Sequence, residues 1–324
     1  MRIMVFDVPA EYGGSLSILK QYYNDACLTP ENEWIFVVSK PQLSETDNIK
    51  VIRIPWVKKS WLHRLFFDSF FASKYVKKYK PDKVISLQNV VVKGVKCFQE
   101  LYVHQPLPFC EKRFSFTENK KFWVYQNIIS KMIFSSIRKA DSIIVQTKWM
   151  SDAICKKTGI AHSKVQIVKP DVRIPEGVRY DKGEESVFFY PASRVVYKNH
   201  DIIYKAVYEL KNKGFDNFKV VLTIDKPEGF SDKYKNIEDL VDFRGYVDKE
   251  TVNVYYSKSI LLFPSYIESF GLPLLEARLF GCPIIASDCS FSREILNGYD
   301  KMEFFGPFDV KALINLMGHF IDKN

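Results

Sequence analysis

Short runs of β-branched and aromatic residues alternate with segments of helical spacing from one end of the chain to the other, and the whole rhythm is made twice. In the first half RIMVFDV, EWIFVVS, KVIRI, DKVISLQ and QELYVHQ read as strands. SLSILKQYYNDA and two basic, aromatic segments read as the helices between them, followed by SIIVQT and a helix near KWMSDAICKKT. The second half runs SVFFYPA, a helix in HDIIYKAVYELKNKG, FKVVLTI, VDFRGYV, a helix in KETVNVYYSKS, ILLFPS, a helix in GLPLLEARLFG, CPIIASD and a last helix in DVKALINLMGHFI. Such alternation indicates an α/β class with parallel sheets and helices on both faces. A chain of 324 residues fits two domains of about 150 residues each. The expected domains are 1–168 and 169–324, joined within VKPDVRIPEGVRYDKGEE, residues 168–185, which is rich in Pro, Gly and charge and poor in periodicity. Two lobes imply a cleft.

Several classes fall away on composition. No stretch approaches the roughly 20 uninterrupted apolar residues that a membrane span needs. The opening MRIMVFDVPAEYGG goes from a short apolar strand straight to a turn, without the apolar core and cleavage site of a signal peptide, so a cytoplasmic location is expected. Cys27, Cys97, Cys110, Cys155, Cys282 and Cys289 stand far apart, with no C-x-x-C pair and no histidine at ligand spacing; reduced, mostly buried thiols are expected, and no zinc site.

The net charge of +9 is unevenly placed: 26 basic and 14 acidic residues give +12 for 1–168, and 21 and 24 give −3 for 169–324. Within the basic half, WVKKSWLHRLFFDSFFASKYVKKYKPDK sets Trp61, Leu62, Leu65, Phe66, Phe70 and Phe71 at helical spacing among Lys58, Lys59, Arg64, Lys74, Lys77 and Lys78. KRFSFTENKKFWVYQNIISKMIF is a second such stretch. Each reads either as a core helix with solvated lysines or as a surface for anionic lipid or nucleic acid, and composition does not choose. No RNP-like, zinc-finger or helix-turn-helix signature accompanies the charge, so no nucleic-acid partner is expected.

In parallel α/β sheets ligands bind where strands end and helices begin, because free N–H groups and positive partial charge gather there. After RIMVFDV come Gly13 and Gly14, which let backbone approach a ligand. After QELYV comes HQPLPF, with His104 at a strand end beside proline. After SVFFYPA come Ser193, Arg194 and Lys198, a forked guanidinium and an ammonium that both suit a diphosphate. After ILLFPS, Glu268 lies in the loop, Gly271 permits a sharp turn, Pro273 suits a first helical turn and Glu276 lies on the helix. Glu276 could accept both hydroxyl hydrogens of a ribose, with backbone N–H groups of Phe270 to Leu272 meeting phosphate or sugar. For either glutamate taken alone, a capping role for Glu268 or a solvated one for Glu276 is the better reading.

As a set, these segments resemble a known family. The string from Glu268 to Glu276 followed by ARLFGCPIIASD is similar to the paired-glutamate motif of the retaining glycosyltransferases of family 4, of the bacterial polysaccharide-biosynthesis type. ASRVVYKNH resembles the family's Arg/Lys diphosphate loop, EYGGS its N-terminal glycine loop, and YVHQPLPF its acceptor-lobe histidine segment. The likeness follows the family's order along nearly the whole chain and is stronger in the C-terminal half. It implies a GT-B fold, two Rossmann-like domains facing across a cleft, with an N-terminal acceptor side, a C-terminal nucleotide-sugar side and a last helix, 308–324, packing back toward the first domain.

Carried over by position, Arg194 and Lys198 would hold the donor diphosphate and Glu276 the ribose, with Gly13 and Gly14 near the phosphates. Glu268 and the Phe270, Gly271 and Leu272 backbone would contact the transferred sugar, and His104 the sugar and acceptor; His104 and Glu268 are thus the catalytic candidates. Arg194 and Lys198 stand closer together than is usual in the family. The implied reaction moves a hexosyl group from a nucleoside-diphosphate sugar to a hydroxyl of a glycan or lipid-linked acceptor, in surface polysaccharide or glycolipid synthesis. The family's favoured course is a front-face displacement, with no covalent role for Glu268. No D-x-D occurs, so neither a metal nor another cofactor is expected. The basic acceptor half suggests a peripheral place on the anionic inner face of the cell membrane. The alternative is a GT-B protein that hydrolyses or epimerises nucleotide sugars, or that has lost catalysis.

Overall fold

The computed structural model describes residues 1–11, 13–181 and 186–322; the last four residues of the expected join, Tyr12 of the expected glycine loop and residues 323–324 of the expected last helix lie outside them. The chain divides into two compact units, Met1–Pro170 and Asp171–Asn324, each on its own parallel sheet. The first contains β1 (Arg2–Asp7), β2 (Glu33–Val38), β3 (Ile49–Arg53), β4 (Lys83–Ser86), β5 (Phe98–Tyr102), β6 (Ser142–Val145) and β7 (Val165–Ile167), in the order β3-β2-β1-β4-β5-β6-β7. The second contains β8 (Ser186–Tyr190), β9 (Phe218–Leu222), β10 (Val241–Phe243), β11 (Ile260–Phe263), β12 (Ile284–Ser287) and β13 (Met302–Phe305), in the order β10-β9-β8-β11-β12-β13. Both are doubly wound, Rossmann-like sheets.

The interior strands are covered on both faces, which is why they read as unbroken apolar runs. In β1 alternate residues serve two cores: Ile3 and Val5 pack with Leu19 and Phe36, whereas Met4 and Phe6 pack with Ile54, Phe67 and Val76. The reversal of strand order falls between β1 and β4 in one sheet and between β8 and β11 in the other. Those are the switch points at which a doubly wound sheet leaves room for a ligand.

Two features depart from the sequence reading. β7 and β13 were not anticipated, because VQI and MEFF are short and half exposed. The second basic segment turns helical only at Lys120, and 111–119 is a loop. Buried Gln126 fixes that loop by donating to Leu107 O at 3.1 Å and Lys112 O at 2.8 Å and accepting from the Phe114 amide at 2.9 Å. The last helix, Val310–Asp322, packs on helix His200–Asn212 of its own unit, with Gly318 beside Leu210 and Ser186 Oγ donating to Phe320 O at 3.1 Å.

Asp7 ends β1 at 1% exposure, and burial pushes its carboxyl up from 3.8 to about 8, against the Ala10 amide and the Arg64 and Lys58 charges. The unfolded chain releases this proton near 3.8 and the folded chain holds it to about 8, so the contribution fades as pH rises through that window. Asp7→Asn does not titrate. Its stability relative to the parent should therefore be more favourable at pH 8 than at pH 5, read from urea midpoints at the two pH values; an unchanged difference would mean that Asp7 is ionised in the folded protein.

Candidate functional site

Parallel pairing sets Phe188 of β8 beside Ile260 of β11 and Phe189 beside Leu261, so the loops that follow, 191–199 and 264–271, run side by side. Asn199 turns the first loop into helix His200–Asn212 with left-handed backbone, φ 59°, and its side-chain amide donates to Pro307 O at 2.7 Å and Pro264 O at 3.3 Å. The Tyr190 hydroxyl donates to Lys198 O at 3.0 Å, and the Tyr266 amide to Tyr197 O at 3.0 Å. Laced in this way, Lys198 Nζ forms an ion pair with Glu268 Oε1, the side chains 17% and 15% exposed, and Ser265 Oγ lies 2.7 Å from the same oxygen. Arg194 stands exposed in the first loop. His200, buried against the Tyr190 ring, is lowered to about 4 by burial and then by the Lys198 and Arg194 charges, and so adds no positive charge at neutral pH.

Gly271 starts the next helix, Leu272–Phe280, at φ 94°, and a Cβ there would lie 3.2 Å from Leu274 Cδ1 and 3.5 Å from the Phe291 ring. Only glycine accepts both that backbone and that space. Phe270 before it is buried, and Leu272 opens the helix. Glu276 turns to the neighbouring helix Lys249–Lys258: Oε1 meets Lys249 Nζ at 2.5 Å and Oε2 accepts from the Tyr256 hydroxyl at 3.0 Å. Lys249 and Tyr256 are seven residues, or two turns, apart and share one helix face. Tyr256 is fully buried and Lys249 is 53% exposed, so one partner is fixed and the other is easily displaced.

The remaining candidates lie on the first unit. Gly13 has φ 64° and begins helix Gly13–Cys27; Gly14 follows, and nothing lies within 4 Å of a Cβ at either. Backbone conformation calls for glycine at Gly13, while at Gly14 the open space alone allows close approach. His104 lies just beyond β5, where Asn89 Oδ1 accepts from the His104 amide at 2.9 Å and the Gln105 amide at 3.1 Å. Those two donors fix the Asn89 amide, leaving its Nδ2 facing His104 Nε2 at 3.3 Å. Nε2 therefore accepts, and the ring proton sits on Nδ1. Burial lowers His104 to about 4, so the ring is neutral at pH 7 and offers Nδ1–H as a donor.

Lys198 and Glu268 thus meet directly, Phe270, Gly271 and Leu272 form the turn beyond them, and Glu276 follows on the helix. Sequence reasoning missed Ser265, Lys249, Tyr256 and Asn89. Only the seven-residue spacing of Lys249 and Tyr256 carried a signal. Grouped in this way, the second unit presents two cations and a helix N-terminus for an anion, and an oriented carboxylate for hydroxyl hydrogens.

Residues 178–324 match the family model of the glycosyl transferases group 1. The O-antigen chain mannosyltransferase RfbU of Salmonella typhimurium is 25% identical over 198 residues, 58% of this chain and 52% of that protein. The chain spans about half the length of the first curated relatives it matches. The lipopolysaccharide outer core galactosyltransferase WaaB superposes with a TM-score of 0.69 over 100% of this chain and 91% of that one, at 17% identity. HepE of Anabaena, solved with UDP-glucose, gives 0.66 over 100% and 90%, at 14% identity. The fold is GT-B.

The Lys198–Glu268 pair is open to a double-mutant cycle. Lys198→Ala and Glu268→Gln should each destabilise the protein in urea unfolding, and the double variant should recover a coupling of about 1–3 kcal/mol. Strict additivity would show that the two charges stabilise the fold independently.

Proposed function

We propose that this chain is a retaining glycosyltransferase of family 4, moving a hexose from a nucleoside-diphosphate sugar to a hydroxyl of a glycan or lipid-linked acceptor in surface polysaccharide or glycolipid synthesis. The observation that carries this reading is the Lys198–Glu268 pair at the switch point of the unit that matches the group 1 model, just ahead of Glu276. The roles of RfbU in O-antigen and WaaB in lipopolysaccharide, and UDP-glucose bound to HepE, support it.

Arg194 and Lys198 take the donor diphosphate, while Ser265 keeps Glu268 in place as Lys198 turns to the phosphates. The Phe270–Leu272 amides and Glu268 contact the sugar, and the Gly13–Gly14 backbone approaches phosphate. Glu276 accepts from the ribose hydroxyls, oriented by Tyr256, once the exposed Lys249 ammonium gives way. His104 donates from Nδ1 to an oxygen of sugar or acceptor. In the front-face course the anomeric carbon–diphosphate bond breaks, the acceptor oxygen bonds to the same face, and the departing phosphate oxygen takes the acceptor's proton. Fixed positive side chains and helix amides stabilise the charge that develops on the leaving group. No metal or other cofactor enters this scheme.

Titration of the full chain with UDP and GDP should find one that binds, and Glu276→Gln should weaken it by about 1–3 kcal/mol without loss of folding. His104→Ala should lower turnover far more than nucleotide affinity. Unchanged affinity and turnover in both variants would remove these residues from the site, and donor hydrolysis without any acceptor would favour the hydrolase alternative.

We place this work at the anionic inner face of the cell membrane, on the strength of the +12 carried by residues 1–168. Among the described residues no helix is long and apolar enough to cross a membrane. In flotation at low salt the protein should rise with anionic vesicles and stay behind with neutral ones, and changing Lys58, Lys59, Lys74, Lys77 and Lys78 to Glu should abolish the effect. Equal recovery with both vesicle types would sink the membrane reading and leave the transferase standing.

A further inference from the structure

The first basic segment does not resolve into a buried face and a charged one. Helix Trp61–Phe66 continues through a π-helical turn, Phe67–Phe71, into helix Ala72–Tyr79. Phe67, Ala72 and Val76 enter the core with Met4, Phe6 and Ile54. On the outer side Trp61 is 54% exposed, Leu62 68%, Phe66 51% and Phe70 60%. Four large apolar side chains on consecutive turns far exceed the scattered apolar residues of an ordinary surface and mark a place of contact.

Three of them, Leu62, Phe66 and Phe70, also border a groove of about 840 Å³, with Trp56, Leu65 and Phe71 and with His63 and Ser69 the polar members. That volume lies in the range of ligand pockets. The His63 ring nitrogen Nδ1 is already engaged by Ser60 Oγ at 2.7 Å, which leaves His63 Nε2 and the Ser69 hydroxyl as the polar side-chain atoms of a lining otherwise made of apolar side chains suited to hydrocarbon. Charge selects the class further: residues 58–80 carry seven Lys and Arg against one acidic residue, Asp68. Asp68 is itself taken by Arg64, at 2.7 Å. Lys59, Lys74, Lys77 and Lys78 are exposed, and the Lys74 ammonium stands 4.6 Å over the ring of Phe71, a lining residue.

The inner side of the same segment reaches the candidate acceptor loop. Asp68 Oδ1 accepts from Gln88 Nε2 at 3.4 Å, and Gln88 precedes Asn89, which holds His104. Lys58 donates to Pro9 O at 2.7 Å and pairs with Glu11 at 3.0 Å, both in the loop after β1.

We propose that this groove binds the hydrocarbon chain of a lipid phosphate, with the phosphate among the rim lysines and the group the lipid carries directed to the His104 loop. The identity of that group as a sugar acceptor rests on the transferase reading; the lipid site itself does not. Hydrocarbon gains from leaving water and the phosphate gains from the lysines, the combination by which an amphipathic basic surface selects an anionic lipid.

The probe is dodecyl phosphate below its micelle concentration, titrated into the full chain by calorimetry, with inorganic phosphate and a neutral dodecyl glycoside alongside. Dodecyl phosphate should bind saturably, inorganic phosphate should not at the same concentration, and the glycoside should bind more weakly. Phe66→Ser with Phe70→Ser should weaken dodecyl phosphate by about tenfold or more while thermal stability and UDP or GDP affinity stay unchanged, since both rings are half exposed. Lys74→Glu should weaken dodecyl phosphate and leave the glycoside unaffected. Equal binding by the double serine variant would overturn the proposal. So would binding to vesicles with none of the monomeric amphiphile, or a self-association abolished by the serine changes with no amphiphile bound. Absence of nucleotide binding with dodecyl phosphate binding intact would sink the transferase reading and leave the lipid groove standing.

Discussion

Parallel pairing of β8 with β11 decides what meets at the carboxyl end of the second sheet. Those strands are far apart in sequence, and a doubly wound order makes them neighbours at the one point where helices depart in opposite directions. The loop after each must then share space with the other. Lys198 and Glu268, separated by 70 positions, become an ion pair of low exposure, and Asn199 can bond at once to Pro264 and Pro307. At this low exposure, removal of either charge would leave the other poorly solvated, so breaking the pair is costly. The same lacing holds the turn at Gly271, and through it the position of Glu276.

Charge state is set in this protein as much by burial as by pairing. His104 and His200 are both lowered to about 4 by desolvation, so the two histidines nearest the candidate loops are neutral at physiological pH. At His104 neutrality has a structural counterpart, since Asn89 needs an acceptor at Nε2 and would meet a repelling N–H in an imidazolium. The positive side chains that the loops of the second unit present are therefore Arg194 and Lys198, beside the amides of a helix N-terminus.

The segment 61–79 does two things that a simple amphipathic helix does not. Its inner side supplies Phe67, Val76 and the Asp68 carboxyl to the first unit, and its outer side leaves apolar rings in water beside lysines. Leaving so much apolar surface exposed costs free energy in the isolated protein. The π-helical turn at Phe67–Phe71 fits this double duty, as an extra residue in one turn shifts the register of the rings that follow.

Much of the fold was legible because its cause is local. Buried parallel strands must be continuously apolar, as RIMVFDV and ILLFPS are, and the helices between them must carry a repeating apolar stripe, as HDIIYKAVYEL does. Lys198, Glu268 and Glu276 were nominated for the same reason, since each follows a readable strand. The structure alone supplied their partners. Tyr256 and Lys249 on Glu276, Ser265 beside Glu268 and Asn89 on His104 are joined by contacts that no local period encodes. The loop 111–119 was read as helix together with the rest of its basic, aromatic stretch, and buried Gln126 holds it as a loop with three bonds to backbone. Strand β13 was missed because MEFF pairs on one side only and lacks the apolar run of an interior strand. Local pattern determines which segments are strands and helices, since burial acts on every second or every third to fourth residue. Which side chains meet is decided by the order of strands in the sheet, and only the folded chain reveals it.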